Sequence, residues 1–89
     1  MTVELFGPAR ALAGAATLTL DVDEPVDLIT FVRALAAAVP AFVGQIVTAE
    51  RDAFVPPNLV LLDGRRAVGD GVRFGAADRP CVLFLASGG

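Results

Sequence analysis

The side chains that most enzymes use for acid–base and nucleophilic chemistry are scarce in this 89-residue sequence. It contains no histidine and one cysteine, Cys81. An imidazole base, a histidine-ligated metal, a disulfide and a cysteine-built zinc or iron–sulfur site are therefore excluded within one chain. The sequence contains neither the P-loop motif GxxxxGK[ST] nor the dinucleotide-binding motif GxGxxG. Carboxylates are present, but we expect no self-sufficient catalytic site, no metal and no cofactor bound by this chain.

The final two residues, Gly88 and Gly89, are the second feature that could do chemistry. Glycine has no Cβ, so a Gly-Gly end is thin enough to enter a narrow channel in another protein. Residues 86–89 would reach about 13–14 Å when extended, at ~3.3–3.6 Å per residue. We therefore predict a flexible tail over residues 87–89 whose terminal carboxylate is the reactive group. The alternative is a frayed end without a role.

Cys81 has two interpretations. It could accept a persulfide, which requires an accessible thiolate. It also lies within the apolar run CVLFL, and a cysteine in the middle of a strand is usually a small buried hydrophobic residue with a raised pKa. The sequence favours the second interpretation.

Composition and charge limit the class of protein. Hydrophobic residues make up 55% of the chain and charged residues 19%, which is typical of one compact domain. The net charge is −3, with seven arginines and no lysine, so we expect no nucleic-acid partner. No apolar run is long enough to span a membrane and the start is not basic, so we expect a cytoplasmic protein without a membrane partner. Five acids lie within residues 1–27; they could steer a basic partner, although a solvated surface is the simpler explanation.

Hydrophobic periodicity predicts the elements that would position these groups. Asp27 is the predicted N-cap of a helix over 28–39, and Pro40 ends that helix. Residues 9–14 are predicted as a loop and 41–47 as a short second helix. The predicted strands are 2–6, 16–20, 59–62, 65–68 and 81–85. This order predicts an α+β domain over residues 1–86, with one main helix on a small mixed sheet, in the ubiquitin-like β-grasp arrangement.

Two of the predicted strands do not alternate apolar and polar residues, as a sheet covered on one face should. If Val82 and Phe84 face the helix, then Cys81, Leu83 and Leu85 point away from it. Similarly, Phe6 would point outward together with Glu4. An exposed apolar surface usually marks a binding site for a partner. The alternative is that residues 41–47 fold under the sheet and cover it.

The N-terminal run VELFGPAR at residues 3–10 resembles the opening of the small subunit of molybdopterin synthase and its relatives. Val39-Pro40, the Asp63-Gly64-Arg65 turn, Asp78 and the terminal Gly-Gly follow in the order of that family. The resemblance covers nearly the whole chain, and the FGxxR run and the Gly-Gly end are its most specific parts. The related thiamine-pathway carrier shares the tail but generally lacks the opening run.

The resemblance implies a sulfur carrier rather than an enzyme. In that family an ATP-using enzyme of the ubiquitin-activating type adenylates the terminal glycine. A persulfide donor or sulfurtransferase then converts the carboxylate to a thiocarboxylate. An acceptor enzyme, such as the large subunit of molybdopterin synthase, takes up the sulfur for molybdenum cofactor biosynthesis. ATP would thus be used by the activating partner.

Residue by residue, the resemblance implies that Gly89 is modified and that Gly88 and Ser87 lie in the partner's channel. Phe6 and Leu83 match the partner-facing apolar surface of the family. Arg10 matches the arginine of the opening run, but the simpler interpretation is a surface residue that pairs with the acidic strand edge.

The sequence also departs from the family pattern. AADRP at residues 76–80 replaces the common Gly-Asp-x-Val run, and FLAS at residues 84–87 replaces a proline-rich approach to the tail. These differences leave the acceptor open. The alternatives are a sulfur carrier for cysteine, thiamine, tRNA thiolation or a secondary metabolite, a non-catalytic ubiquitin-like interaction module, and a protein modifier that forms isopeptide bonds.

Overall fold

The computed structural model describes residues 1–85, which form one five-stranded sheet with its helices on one face. The sheet order is β2-β1-β5-β3-β4, with β1 and β5 parallel and the other pairs antiparallel. The elements are β1 (Thr2–Leu5), α1 (Pro8–Ala13), β2 (Thr17–Thr19), α2 (Leu28–Ala38), β3 (Asn58–Leu62), β4 (Arg66–Ala67) and β5 (Pro80–Phe84). The predicted α+β class, with one main helix on a mixed sheet, is confirmed. Within these residues no helix is both long and apolar enough to cross a membrane.

The main helix, α2, begins where the sequence predicts and ends at Ala38, one residue before the predicted end. Asp27 is the N-cap, and its Oδ1 accepts a hydrogen bond of 2.9 Å from the backbone N–H of Thr30. Pro40 stands two residues after the last helical residue, Ala38. The helix ends there because the residue before a proline, Val39, avoids the helical region. The helix faces the sheet with the four buried side chains Phe31, Val32, Leu35 and Ala36.

The predicted loop over residues 9–14 is wrong, because the chain forms the short helix α1 there. Pro8 occupies its first turn, where the missing N–H costs nothing. Gly14 ends it in the left-handed conformation, at φ 69°, with its N–H donated to the carbonyl of Arg10 at 2.9 Å. Ala9 is buried and attaches the helix to the core. Gly7-Pro8 therefore starts a helix instead of only ending a strand.

Residues 41–47 lie on the helix side of the sheet. Instead of the predicted second α-helix they hold one 3₁₀ turn, Pro40–Phe42, followed by tight turns. Phe42, Ile46 and Val47 are buried in the same core as α2. They do not cover the opposite face of the sheet, so among residues 1–85 that face has no second layer.

A hydrogen bond and the two ion pairs of Arg66 join the turn after β3 to the 3₁₀ turn before β5, and they fix the start of β5. The predicted turn at Asp63-Gly64 joins β3 to β4, and Asp63 donates its backbone N–H to the carbonyl of Asp78 at 2.8 Å. Arg66 adds ion pairs to both carboxylates, at 3.1 Å to Asp63 and 3.4 Å to Asp78. Asp78 ends a 3₁₀ turn, Ala76–Asp78, that leads through Arg79 into the strand.

Candidate functional site

The outer face of the sheet carries the candidate site. Val3, Leu5, Val60 and Val82 point into the core and are at most 3% exposed. Their neighbours along the strands therefore point to the other face, because side chains alternate along a strand. Four apolar side chains there define what we call the outer patch: Phe6, Leu59, Leu61 and Leu83.

The strand register brings these side chains together. Leu59 of β3 is in register with Leu83 of β5, and Leu61 with Cys81. On the other side of β5, Glu4 of β1 is in register with Cys81. Phe6 follows β1 directly and donates its backbone N–H to the carbonyl of Val82 at 2.9 Å. The patch thus spans the three central strands.

Phe6 and Leu83 both lie on the outer face, as their parity in the sequence predicts. Phe6 is 45% exposed, which is high for a large aromatic side chain, and Leu83 is half-buried. Both side chains are accessible to a partner without any movement of the core. Whether a partner binds them stays a prediction.

A depression of about 340 Å³ opens on this face. Phe6, Leu61, Cys81 and Leu83 form its apolar lining. Glu4, Asp63 and Arg79 supply charged groups around them. Such a surface can hold an apolar side chain and orient it by the charges that surround it.

Cys81 lies in the lining but is only 7% exposed. Burial raises the pKa of the Cys81 thiol; a hydrogen bond involving the backbone of Leu61 opposes this effect, and the negative charge of Glu4 adds to it. A protonated, buried thiol is a poor nucleophile. The structure therefore supports the buried hydrophobic interpretation over the persulfide acceptor.

The last described residues lie at the end of β5. Leu85 follows the strand, is 57% exposed, and donates its N–H to the carbonyl of Pro57 at 3.1 Å. Phe84 has the parity of a core residue, but it is 45% exposed at the strand end beside Gly7, so it is not part of the buried core. The predicted tail residues Ser87, Gly88 and Gly89 lie outside the described residues.

Arg10 lies on α1 and is exposed. Among residues 1–85 no carboxylate lies within 4.0 Å of its guanidinium. The predicted pairing with the acidic strand edge is therefore absent from this part of the chain. In the same residues no three potential metal ligands cluster.

Sequence reasoning placed Asp63 in a turn without predicting it at the site, and it missed Arg79 altogether. Its position directly before β5 could have indicated a side chain near the outer face. Its backbone conformation, with φ at 52°, could not have been predicted, because left-handed positions are usually filled by glycine or asparagine. It arises from the connection between the two turns.

Two solved structures resemble this chain over nearly its whole length. The chain superimposes on the crystal structure of SAMP1 from Haloferax volcanii with a TM-score of 0.78 and 27% identity, over 100% of this chain and 98% of that one. A crystal structure of small archaeal modifier protein 1 from the same organism gives the same TM-score with 24% identity, over 97% of each chain. No protein-family model and no curated protein matches the sequence. The chain has the ubiquitin-like β-grasp fold.

Proposed function

We propose that the chain is a ubiquitin-like sulfur carrier whose terminal carboxylate on Gly89 is activated by a partner enzyme. The observation that carries this proposal is the position of the outer patch. Leu83 of the patch lies on β5, the central strand whose continuation is the Gly-Gly end of the sequence. A partner that binds the patch would therefore also be positioned to bind the residues that follow β5. The likeness to SAMP1 supports the same class of protein.

The chemistry follows from the poor reactivity of a carboxylate. The activating enzyme would transfer AMP from ATP to the Gly89 carboxylate with release of pyrophosphate. A persulfide sulfur would then displace AMP to form an acyl disulfide, and a thiol would reduce the sulfur–sulfur bond to leave the thiocarboxylate and a disulfide. The carrier contributes only a positioned reactant, so it needs no base or nucleophile of its own.

Among possible acceptors, we propose the large subunit of molybdopterin synthase first. The FGxxR run, with Phe6 on the outer face, is the feature that favours this acceptor over the thiamine pathway. Gly88 and Ser87 would occupy the channel that leads to the acceptor's active site. Carriers for cysteine or tRNA thiolation would use the same tail chemistry with another acceptor.

A protein modifier is the second candidate. It is favoured by the likeness to a protein named small archaeal modifier protein 1. In this case the activated Gly89 would be attacked by a lysine amine of a target, with AMP or an enzyme thiol as the leaving group. The chain itself contains no lysine, so it could not form chains of its own copies through side-chain amines.

Intact-mass analysis separates these functions. The full chain is incubated with ATP, an adenylating enzyme from the same genome and a persulfide donor. A carrier gains the mass difference between one sulfur and one oxygen, whereas deletion of Gly89 removes the gain. A modifier instead forms isopeptide-linked products when lysine-containing proteins are added. An unchanged mass together with the absence of isopeptide-linked products, with an enzyme that is active on a control carrier, would leave only the interaction module.

A further inference from the structure

Arg79 is an unusual residue for its backbone position. Its φ of 52° and ψ of 62° place it in the left-handed region, where a side chain crowds the backbone and glycine is preferred. The next residue is Pro80, which further restricts the residue before it to extended conformations. The bend is held by the N–H of Arg79, donated to the carbonyl of Ala76 at 3.0 Å, and by the turn connection through Asp78. Glycine would fit this position with less strain.

The guanidinium of Arg79 also lacks a partner within residues 1–85. No carboxylate lies within 4.0 Å of it, and no hydrogen bond from its side chain is formed there. The nearby carboxylate of Asp63 is already paired with Arg66 at 3.1 Å. Within the described residues the five N–H donors of Arg79 are therefore not used by any protein group, and the cation lies next to an apolar surface.

The other charge in the depression determines where an anion could bind. Glu4 is exposed and likewise forms no ion pair in the described part of the chain. It lies on β1, in register with Cys81 two residues beyond Arg79. A negative group on a partner would be repelled beside Glu4 and attracted beside Arg79, so the two charges favour one orientation of whatever binds between them.

We propose that Arg79 is a docking residue that recognises a carboxylate on the activating enzyme, next to an apolar side chain that fills the depression over Leu61 and Leu83. This inference rests on the proposed function, because it assigns the occupant of the outer patch to the enzyme that adenylates Gly89. A guanidinium–carboxylate pair at the edge of an apolar contact gives orientation and on-rate as well as affinity.

Arg51 supplies a matched control. It is also an exposed arginine in the left-handed region, with φ at 62°, and it also forms no ion pair among residues 1–85. It does not line the depression. Arg51→Gly and Arg79→Gly therefore each remove one positive charge and one left-handed non-glycine residue, but only Arg79→Gly alters the depression and the residue before a proline.

The first experiment measures ATP–pyrophosphate exchange with the adenylating enzyme as a function of carrier concentration. We expect Arg79→Gly to raise the KM for the carrier about tenfold or more while kcat is retained. Arg51→Gly should keep the wild-type KM, and both variants should melt at or above the wild-type temperature. Added salt should raise the KM of wild type and of Arg51→Gly, but it should have little effect on Arg79→Gly, whose charged pair is gone.

A second experiment identifies the partner group. Because the chain has no lysine, Arg79→Lys and Arg51→Lys each introduce a single side-chain amine. Zero-length carbodiimide coupling in the complex should join position 79, but not position 51, to an aspartate or glutamate of the enzyme. An unchanged KM for Arg79→Gly, or no coupling at position 79, overturns the inference while the proposed function stands. Wild type that supports no exchange dependent on Gly89 overturns both.

Discussion

At the scale of single residues, we expect the side chains of the outer patch to matter for binding but not for folding. Phe6 and Leu83 point away from a core that is filled from the other face. A carboxylate at either position would face solvent in the free protein, so the fold should tolerate it. In the complex the same carboxylate would be buried against an apolar surface without a partner, which is costly.

We expect Phe6→Glu and Leu83→Glu to weaken binding of the activating enzyme about tenfold or more, as loss of a central apolar contact commonly does. Melting temperatures should change little, and affinities can be measured by titration calorimetry. Ile29→Glu is the control, since Ile29 is also 45% exposed but lies on α2, on the other side of the sheet. Unfolding of either patch variant would show that its side chain belongs to the core, and equal weakening by Ile29→Glu would show a non-specific charge effect.

Cys81 leads to a prediction about alkaline pH. Because burial raises the pKa of its thiol, the folded protein holds this proton where the unfolded chain has lost it. The resulting stability is fully present below the ordinary thiol pKa and is lost as the pH rises through the folded-state pKa. We expect the free energy of unfolding, measured by urea titration, to fall across this range more steeply in wild type than in Cys81→Ala. Parallel curves for the two proteins would contradict the buried, protonated thiol.

At the scale of elements, α2 was predictable and α1 was not. The N-cap at Asp27, the apolar stripe and Pro40 give independent signals that agree, so local preference and tertiary packing specify the same helix. For α1 the signals conflict. Gly7-Pro8 is typical of a strand end, and only a buried Ala9 and a left-handed Gly14 show that a helix fits there. A six-residue helix has too few turns for periodicity to identify it.

Some residues of the candidate site were likewise predictable from the sequence and others were not. The outward position of Phe6 and Leu83 follows from parity alone, because residues in a strand alternate between faces. The contribution of Leu59 and Leu61 to the same patch depends on the register between β3 and β5, which a single sequence does not specify. Arg79 depends on a contact between two turns that are far apart in the chain, so it could be found only in the structure.

The cap of α2 gives a prediction at this scale. The hydrogen bonds of Asp27 with Thr30 lower the pKa of the Asp27 carboxyl. Stability from this group is therefore present above its unfolded pKa and lost as the pH falls through the folded pKa. Asp27→Ala should lower the melting temperature at neutral pH by a few degrees and should flatten its decline in acid. Asp27→Asn keeps an acceptor but cannot titrate, so it should retain most of the neutral-pH stability; a loss equal to that of Asp27→Ala would contradict capping as the cause.

At the scale of the whole molecule, one helical layer covers one face of the sheet, and among residues 1–85 no second layer covers the other face. The core residues of α2, of the 3₁₀ segment and of the inner strand faces form one cluster. The outer patch contacts this cluster only through the strands. Changes in the core should therefore alter how much protein is folded, without altering how the folded protein binds.

Phe31 is the residue that tests this separation. It is fully buried on α2, with its ring 5.1 Å from that of Phe74 and 6.5 Å from that of Phe54, so it joins the helix to two loops. Phe31→Ala should cost about 3–5 kcal/mol, a large part of the roughly 5–15 kcal/mol that stabilises a typical domain. Phe31→Leu, which refills part of the space, should cost less.

We expect Phe31→Ala to show a melting temperature far below wild type by circular dichroism, with Phe31→Leu between them. At a temperature where Phe31→Ala is still folded, its KM in the exchange assay should equal that of wild type, because the outer patch is intact. A raised KM in the folded variant would show that the core and the binding face are coupled through the strands. A melting temperature close to wild type would show instead that the aromatic contacts of Phe31 contribute little to the fold.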